Sequence, residues 1–195
     1  MKFLKCLNLD NKIKLIQVMK KNKNFSNITK HGKVSGIYFN NILKNIISLI
    51  DIKKKVIILD FGSGYGYLKK KLIKNSRIKI INYDIIRELS DIDDWRKVKF
   101  DYLISTHVFM YFKKKDLKNL LSSLKKHNKK LKIIVTISRQ SFLNNIGKFI
   151  LNEKNAHKGT FLQPKKEIEL LKTKMKVIKK INIFFLSDIY LLEFK

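Results

Sequence analysis

Val56-Ile57-Ile58-Leu59-Asp60-Phe61-Gly62-Ser63-Gly64-Tyr65-Gly66-Tyr67-Leu68 is the stretch that decides the fold. Four aliphatic residues run into an acid, three alternating glycines follow, and a helical pattern starts at Tyr67 and continues to about Lys74. An apolar run that ends in turn signals reads as a strand buried on both faces of a parallel sheet. The glycines let the backbone turn sharply and approach a ligand closely, which a Cβ atom would block. The helix that follows aims its free N–H groups back into the same crevice. In an open α/β sheet that crevice, at the carboxyl ends of the strands, is where ligands bind.

Two nucleotide motifs are excluded here. A P-loop ends in Gly-Lys-Ser/Thr, and Tyr65-Gly66-Tyr67 does not supply that ending. The dinucleotide pattern G-x-G-x-x-G needs glycine where Tyr67 stands. What is present is Asp-x-Gly-x-Gly-x-Gly, with Asp60 two residues before Gly62. This resembles the S-adenosylmethionine (SAM) loop of class I methyltransferases, where the glycine turn packs on the amino-acid and ribose parts of the cofactor. A chance glycine-rich turn after a strand is the competing reading. The preceding acid and the order of elements downstream weigh against it.

At 195 residues the chain is long enough for one α/β domain and short for two. Its 45% hydrophobic content fits a globular protein. No uncharged apolar run reaches the length of about 18 residues that a membrane span needs. The start, Met1-Lys2-Phe3-Leu4-Lys5-Cys6-Leu7, has too short an apolar region for a signal peptide. Cys6 is the only cysteine, so a disulfide within the chain and a cysteine metal cluster are both excluded. A cytoplasmic location is the expectation.

The formal net charge of +29 invites a nucleic-acid reading. Arginine, however, occurs only at Arg77, Arg87, Arg96 and Arg139, and the rest of the 44 basic residues are lysine. Phosphate and base recognition favours arginine forks. Lysine, asparagine and isoleucine share AT-rich codons, while alanine (Ala156) and proline (Pro164) each occur once, so genome composition competes with nucleic-acid binding as the source of the bias. Weak, salt-sensitive attraction to acidic partners is still expected.

Residues 1–34 read as an N-terminal helical arm or cap and 35–195 as the main domain. His31-Gly32-Lys33 and Ser35-Gly36 break the chain before a helix over Tyr38 to Ile50, with Ile42, Leu43, Ile46, Ile47 and Ile50 at helical spacing. Arg77 to Tyr83 reads as the second strand, ending at Asp84. A carboxylate there can accept hydrogen bonds from two vicinal ribose hydroxyls; a turn or helix-capping aspartate is the alternative. The segment from Asp84 to Phe100 is too short for the helix and strand usual at this point. Its acids (Asp91, Asp93, Asp94) and Trp95 lie in the order of an adenine pocket, and Trp95 reads equally as a core anchor.

Phe100 to Thr106 reads as the next strand, followed by His107. A neutral histidine at that place can serve as a general base, or pack beside the cofactor without proton transfer. Asp116 to His127 reads as an amphipathic helix with Leu117, Leu120, Leu121 and Leu124 inward. A strand over Leu131 to Ile137 leads into an excursion from Ser138 to about Gly159, with an apolar helix as lid and His157 and Phe161 as acceptor contacts. Pro164 opens a last helix. Strands over Met175 to Phe185 and Ile189 to Phe194, joined by Leu186-Ser187-Asp188, finish the chain as a hairpin.

The order of elements over residues 35–195 is similar to a class I SAM-dependent methyltransferase of the broad small-molecule group. The resemblance implies a three-layer α/β, Rossmann-like fold: a mostly parallel sheet with a C-terminal antiparallel hairpin, shortened between the second and fourth strands of the family. It implies S-adenosyl-L-methionine as cofactor, held by Asp60, Gly62, Ser63, Gly64, Tyr65, Gly66, Asp84 and Ile85, with adenine near Asp94 and Trp95. It implies methyl transfer beside His107 to a small-molecule acceptor, with no metal needed. The Asn/Asp-Pro-Pro-Tyr/Phe signature of amino-methylating nucleic-acid enzymes is absent, because Ser105-Thr106-His107-Val108 stands in its place. An RNA methyltransferase is the runner-up, motivated by charge. A SAM-binding protein of the same fold without transferase activity is the third reading.

Overall fold

The computed structural model describes residues 33–139 and 160–195. The N-terminal arm, the excursion beyond Arg139 with its lid helix, and His157 lie outside the described residues.

The elements are α1 (Lys33–Ser48), β1 (Val56–Phe61), α2 (Tyr67–Leu72), β2 (Ile78–Tyr83), β3 (Tyr102–Thr106), α3 (Lys114–His127), β4 (Lys132–Ser138), α4 (Pro164–Lys174), β5 (Met175–Ile183) and β6 (Ser187–Phe194). They build a six-stranded sheet of order β2-β1-β3-β4-β6-β5. The first four strands run parallel, β6 pairs antiparallel to β4, and β5 pairs antiparallel to β6. This is the mixed sheet with a terminal hairpin that the sequence implies.

Both faces of the sheet are covered. Alternation along β1 sends Ile58 to one face, among Ile42 and Ile46 of α1 and Leu68 and Leu72 of α2. Leu59 and Phe61 go to the other face, among Leu117, Leu121 and Leu124 of α3 and Leu171 of α4. The four leucines at helical spacing in α3 are all buried, which is the apolar stripe a core-facing helix requires. Pro164 sits in the first turn of α4, where its missing N–H costs nothing.

Between β2 and β3 the chain makes only two 3₁₀ turns, Arg87–Leu89 and Trp95–Lys97. β2 is therefore an edge strand. Asp91 covers that edge at one point, donating its amide to the Asn82 carbonyl and accepting the Asn82 amide on its carboxylate at 2.8 Å. An edge satisfied in this way offers less template for pairing with another chain.

Two boundaries differ from the sequence reading. α1 starts at Lys33 and runs through Ser35 and Gly36; a helical glycine costs only about 1 kcal/mol, and burial of Tyr38, Ile42 and Ile46 offsets it. The hairpin turns earlier, at Phe184-Phe185-Leu186. Ser187 and Asp188 belong to β6, because Asp188 accepts the Asn182 side-chain amide at 3.0 Å across the strand pair.

Candidate functional site

The strand order reverses between β1 and β3, and in open α/β sheets ligands bind beyond the carboxyl ends of the strands at such a point. The glycine loop stands there, after β1. The carbonyl of Tyr83, the last residue of β2, accepts the amides of Gly62 (2.7 Å) and Ser63 (3.3 Å), and Gly66 donates to the Ser63 carbonyl at 3.0 Å. The Ser63 hydroxyl reaches the Leu89 carbonyl at 3.4 Å. The loop is thus tied to β2 and to the turn after it.

Glycine is needed here for distinct reasons. A Cβ on Gly62 would overlap the Val108 side chain, so the loop after β3 packs directly on the glycine turn. A Cβ on Gly66 would sit 2.7 Å from Asn82 Nδ2. Gly64 is different: its φ is +50°, and a Cβ there would meet nothing within 4 Å among the described residues. Its amide is also spoken for, donating to Asp84 Oδ2 at 2.8 Å. Tyr65 and Tyr67, on either side of Gly66, are exposed at the rim.

Asp84 stands half-buried against this loop. Its second oxygen, Oδ1, accepts the Ile86 amide at 2.9 Å, which fixes the carboxylate on both sides and places Ile85 and Ile86 beside it. Asp60, at the end of β1, is buried, and its carboxyl is pushed up to about 7, first by burial and then by the negative charge of Asp84. Two acids therefore flank a glycine loop in a chain of net charge +29.

His107 directly follows β3, with φ +55°, a left-handed conformation uncommon for a non-glycine residue. Its amide donates to the Thr136 carbonyl at 3.1 Å, and its Nδ1 lies 3.3 Å from the Ser138 hydroxyl. The backbone twist thus turns the imidazole toward the end of β4. Ser138 pairs in the sheet with Ser187, whose hydroxyl meets the Tyr38 hydroxyl at 2.6 Å. Neither Ser138 nor Val108 was marked by the sequence. Both owe their place to strand register, which one strand's residues do not reveal.

The structure brings Asp60, the Gly62 to Gly66 loop, Asp84, Ile85 and His107 to the carboxyl edge of the parallel strands. It does not bring Asp94 and Trp95 there. Trp95 is 2% exposed and packs edge-on against Phe100 and His127. Phe100 precedes β3 and His127 ends α3, and the adjacent Asp101 amide bonds to Ile57 near the start of β1. Trp95 therefore anchors the core toward the amino ends of the strands, and an indole this buried presents no face to adenine. Asp94 caps the following turn and pairs with Arg96, Nε to Oδ1 at 2.8 Å. Phe161 is exposed, its amide on the Met110 carbonyl and Lys113 Nζ over its ring.

Among the described residues no group of three or more histidine, cysteine or acidic side chains is placed to hold a metal ion, and no helix is long and apolar enough to cross a membrane.

No family model matches the chain, and no curated protein matches it in sequence. Solved structures do match. Magnesium protoporphyrin IX methyltransferase from Synechocystis PCC 6803 with bound SAM aligns with a TM-score of 0.64 and 12% identity, covering 97% of this chain and 99% of that one. A protein from Pyrococcus horikoshii OT3 aligns with a TM-score of 0.60 and 15% identity, over 80% of this chain and 91% of that one. Human N-acetylserotonin methyltransferase in complex with SAM aligns with a TM-score of 0.56 and 16% identity, over 77% of this chain but only 51% of that one. At these identities the likeness establishes the fold, which is the Rossmann-like fold of the class I SAM-dependent methyltransferases.

Proposed function

We propose that the chain binds S-adenosyl-L-methionine at the glycine loop and transfers its methyl group to a small-molecule acceptor. The observation that carries this reading is the loop itself: an open face at Gly64, bounded by Asp60 and Asp84, with no phosphate-binding lysine in the motif. The cofactor supplies a methyl group already activated as a sulfonium.

The residues then have separable jobs. Asp84 uses one lone pair of each oxygen on the Gly64 and Ile86 amides; each oxygen keeps another for a ribose hydroxyl. Ile85 and Ile86, next to it, offer apolar surface to an adenine ring. Asp60 supplies negative charge near the cationic part of the ligand. With the electrophile activated in advance, the protein's task is mainly to align the acceptor. His107, held by Ser138, removes a proton where the acceptor is a hydroxyl or an amine; such bases contribute about 10²–10⁴-fold.

The test is the formation of S-adenosylhomocysteine on pools of small hydroxylated and amine acceptors, with His107→Asn as control. Asparagine tolerates the left-handed backbone and removes the base. Turnover that falls at least about a hundredfold in the variant, with SAM affinity kept, supports the assignment. Cofactor binding without turnover on any pool points to a binding protein of the same fold, and turnover on RNA alone to the charge-based alternative.

A further inference from the structure

We propose that the hairpin tip Phe184-Phe185 docks the ligand edge of the protein on an anionic lipid surface. β5 and β6 are joined by a tight turn closed by the Leu186 amide on the Ile183 carbonyl at 2.9 Å. Both central residues are left-handed, Phe184 with φ +49° and Phe185 with φ +60°. Such a turn takes asparagine and glycine readily, and a bulky side chain at either position strains it. Among the described residues packing recovers little of that cost, because Phe184 is 53% and Phe185 62% exposed.

The tip's position gives it a use. Ser187 pairs with Ser138 at the carboxyl end of β4, and the Arg139 amide donates to the Leu186 carbonyl at 2.8 Å. The rings therefore stand at the edge of the sheet that carries the glycine loop and His107. The Tyr38 to Ser187 hydrogen bond brings α1 to the same corner, where Ile37 is 64% exposed. Arg139 and Lys180 flank the tip. Both lean on the single carboxylate of Asp188, so the collar carries one net positive charge on a chain of net +29. Apolar side chains at a tip with a basic collar match a headgroup boundary of negative charge. Single-stranded nucleic acid is bound differently, by aromatic faces set along a basic groove, and a two-residue turn provides no groove. The inference does not depend on methyl transfer.

The test is sedimentation of the full chain with phosphatidylcholine vesicles, with and without phosphatidylglycerol. Wild type is expected to bind the mixed vesicles and to bind neutral ones less. Phe184→Asn with Phe185→Gly gives the turn its preferred residues, so the variant keeps or gains melting temperature while its vesicle affinity falls at least about tenfold. Equal binding by the variant would reduce the interaction to lysine electrostatics and overturn the proposal. So would no binding by wild type, ring-dependent binding of a single-stranded RNA probe in preference to vesicles, or ring-dependent self-association without lipid.

Discussion

The carboxylate of Asp84 holds the amide of Gly64 at 2.8 Å, so the acid that follows β2 is tied directly to the middle glycine of the loop after β1. The two strands beneath are in register, Asp60 opposite Asn82 and Phe61 opposite Tyr83.

The glycines separate stability from binding. Gly62→Ala forces a methyl group into Val108 at positive φ and is expected to cost about 2–4 kcal/mol of folding stability. Gly64→Ala meets no neighbour among the described residues and should cost only about 1–2 kcal/mol in backbone strain. Its methyl group, however, enters the space assigned to the ligand. Thermal melts paired with SAM titrations should therefore show Gly62→Ala failing mainly in stability and Gly64→Ala mainly in binding.

Asp60 makes binding depend on pH. Its carboxyl, raised from 3.8 to about 7, is partly protonated near neutrality. A cationic ligand favours the ionised form and draws the proton off. Affinity for SAM should rise between about pH 6 and pH 8, and binding below about pH 7 should release up to one proton. Calorimetry in two buffers of different ionisation enthalpy measures that proton. Asp60→Asn is expected to flatten the profile.

Glu167 on α4 is 1% exposed, its Oε1 has no hydrogen-bond partner among the described residues, and burial pushes its carboxyl from 4.5 up to about 8. Between those values the folded chain keeps a proton that the unfolded chain gives up. Stability is therefore complete below about pH 4.5 and declines as pH rises toward 8, by roughly 3 kcal/mol at neutrality. Glu167→Gln should melt like wild type at low pH and clearly above it at pH 8. Parallel melting curves at all pH values would contradict a carboxyl that burial holds protonated.

Trp95 is the only tryptophan, so its emission reports one place. Buried against Phe100 and His127, it should emit at short wavelength, resist acrylamide quenching and stay unchanged when SAM binds. Quenching by the cofactor would return Trp95 to the adenine pocket.

The parts legible in the sequence were those written in consecutive residues. The buried strand, the glycine turn and the following acid are local patterns, and the leucines of α3 mark their own core face. Trp95 shows the limit. Its order after Asp84 fits an adenine wall, but the edge of the sheet it reaches depends on two short turns that carry no periodicity. Likewise Val108 against Gly62, and Ser138 beside His107, are set by register between β1, β3 and β4. The hairpin tip was misplaced because Phe184 and Phe185 continue an apolar strand pattern, while the left-handed turn they adopt normally signals itself through asparagine or glycine.

The most direct test of the central claim is calorimetric titration of the full chain with SAM and with S-adenosylhomocysteine, beside Asp84→Ala. The account predicts micromolar binding of both ligands, weakened in the variant by on the order of 1–3 kcal/mol through lost charge-assisted hydrogen bonds. Unchanged affinity in the variant would remove Asp84 from the ribose. No binding of either ligand by a sample with a cooperative melt would contradict the account and leave the glycine loop a structural turn.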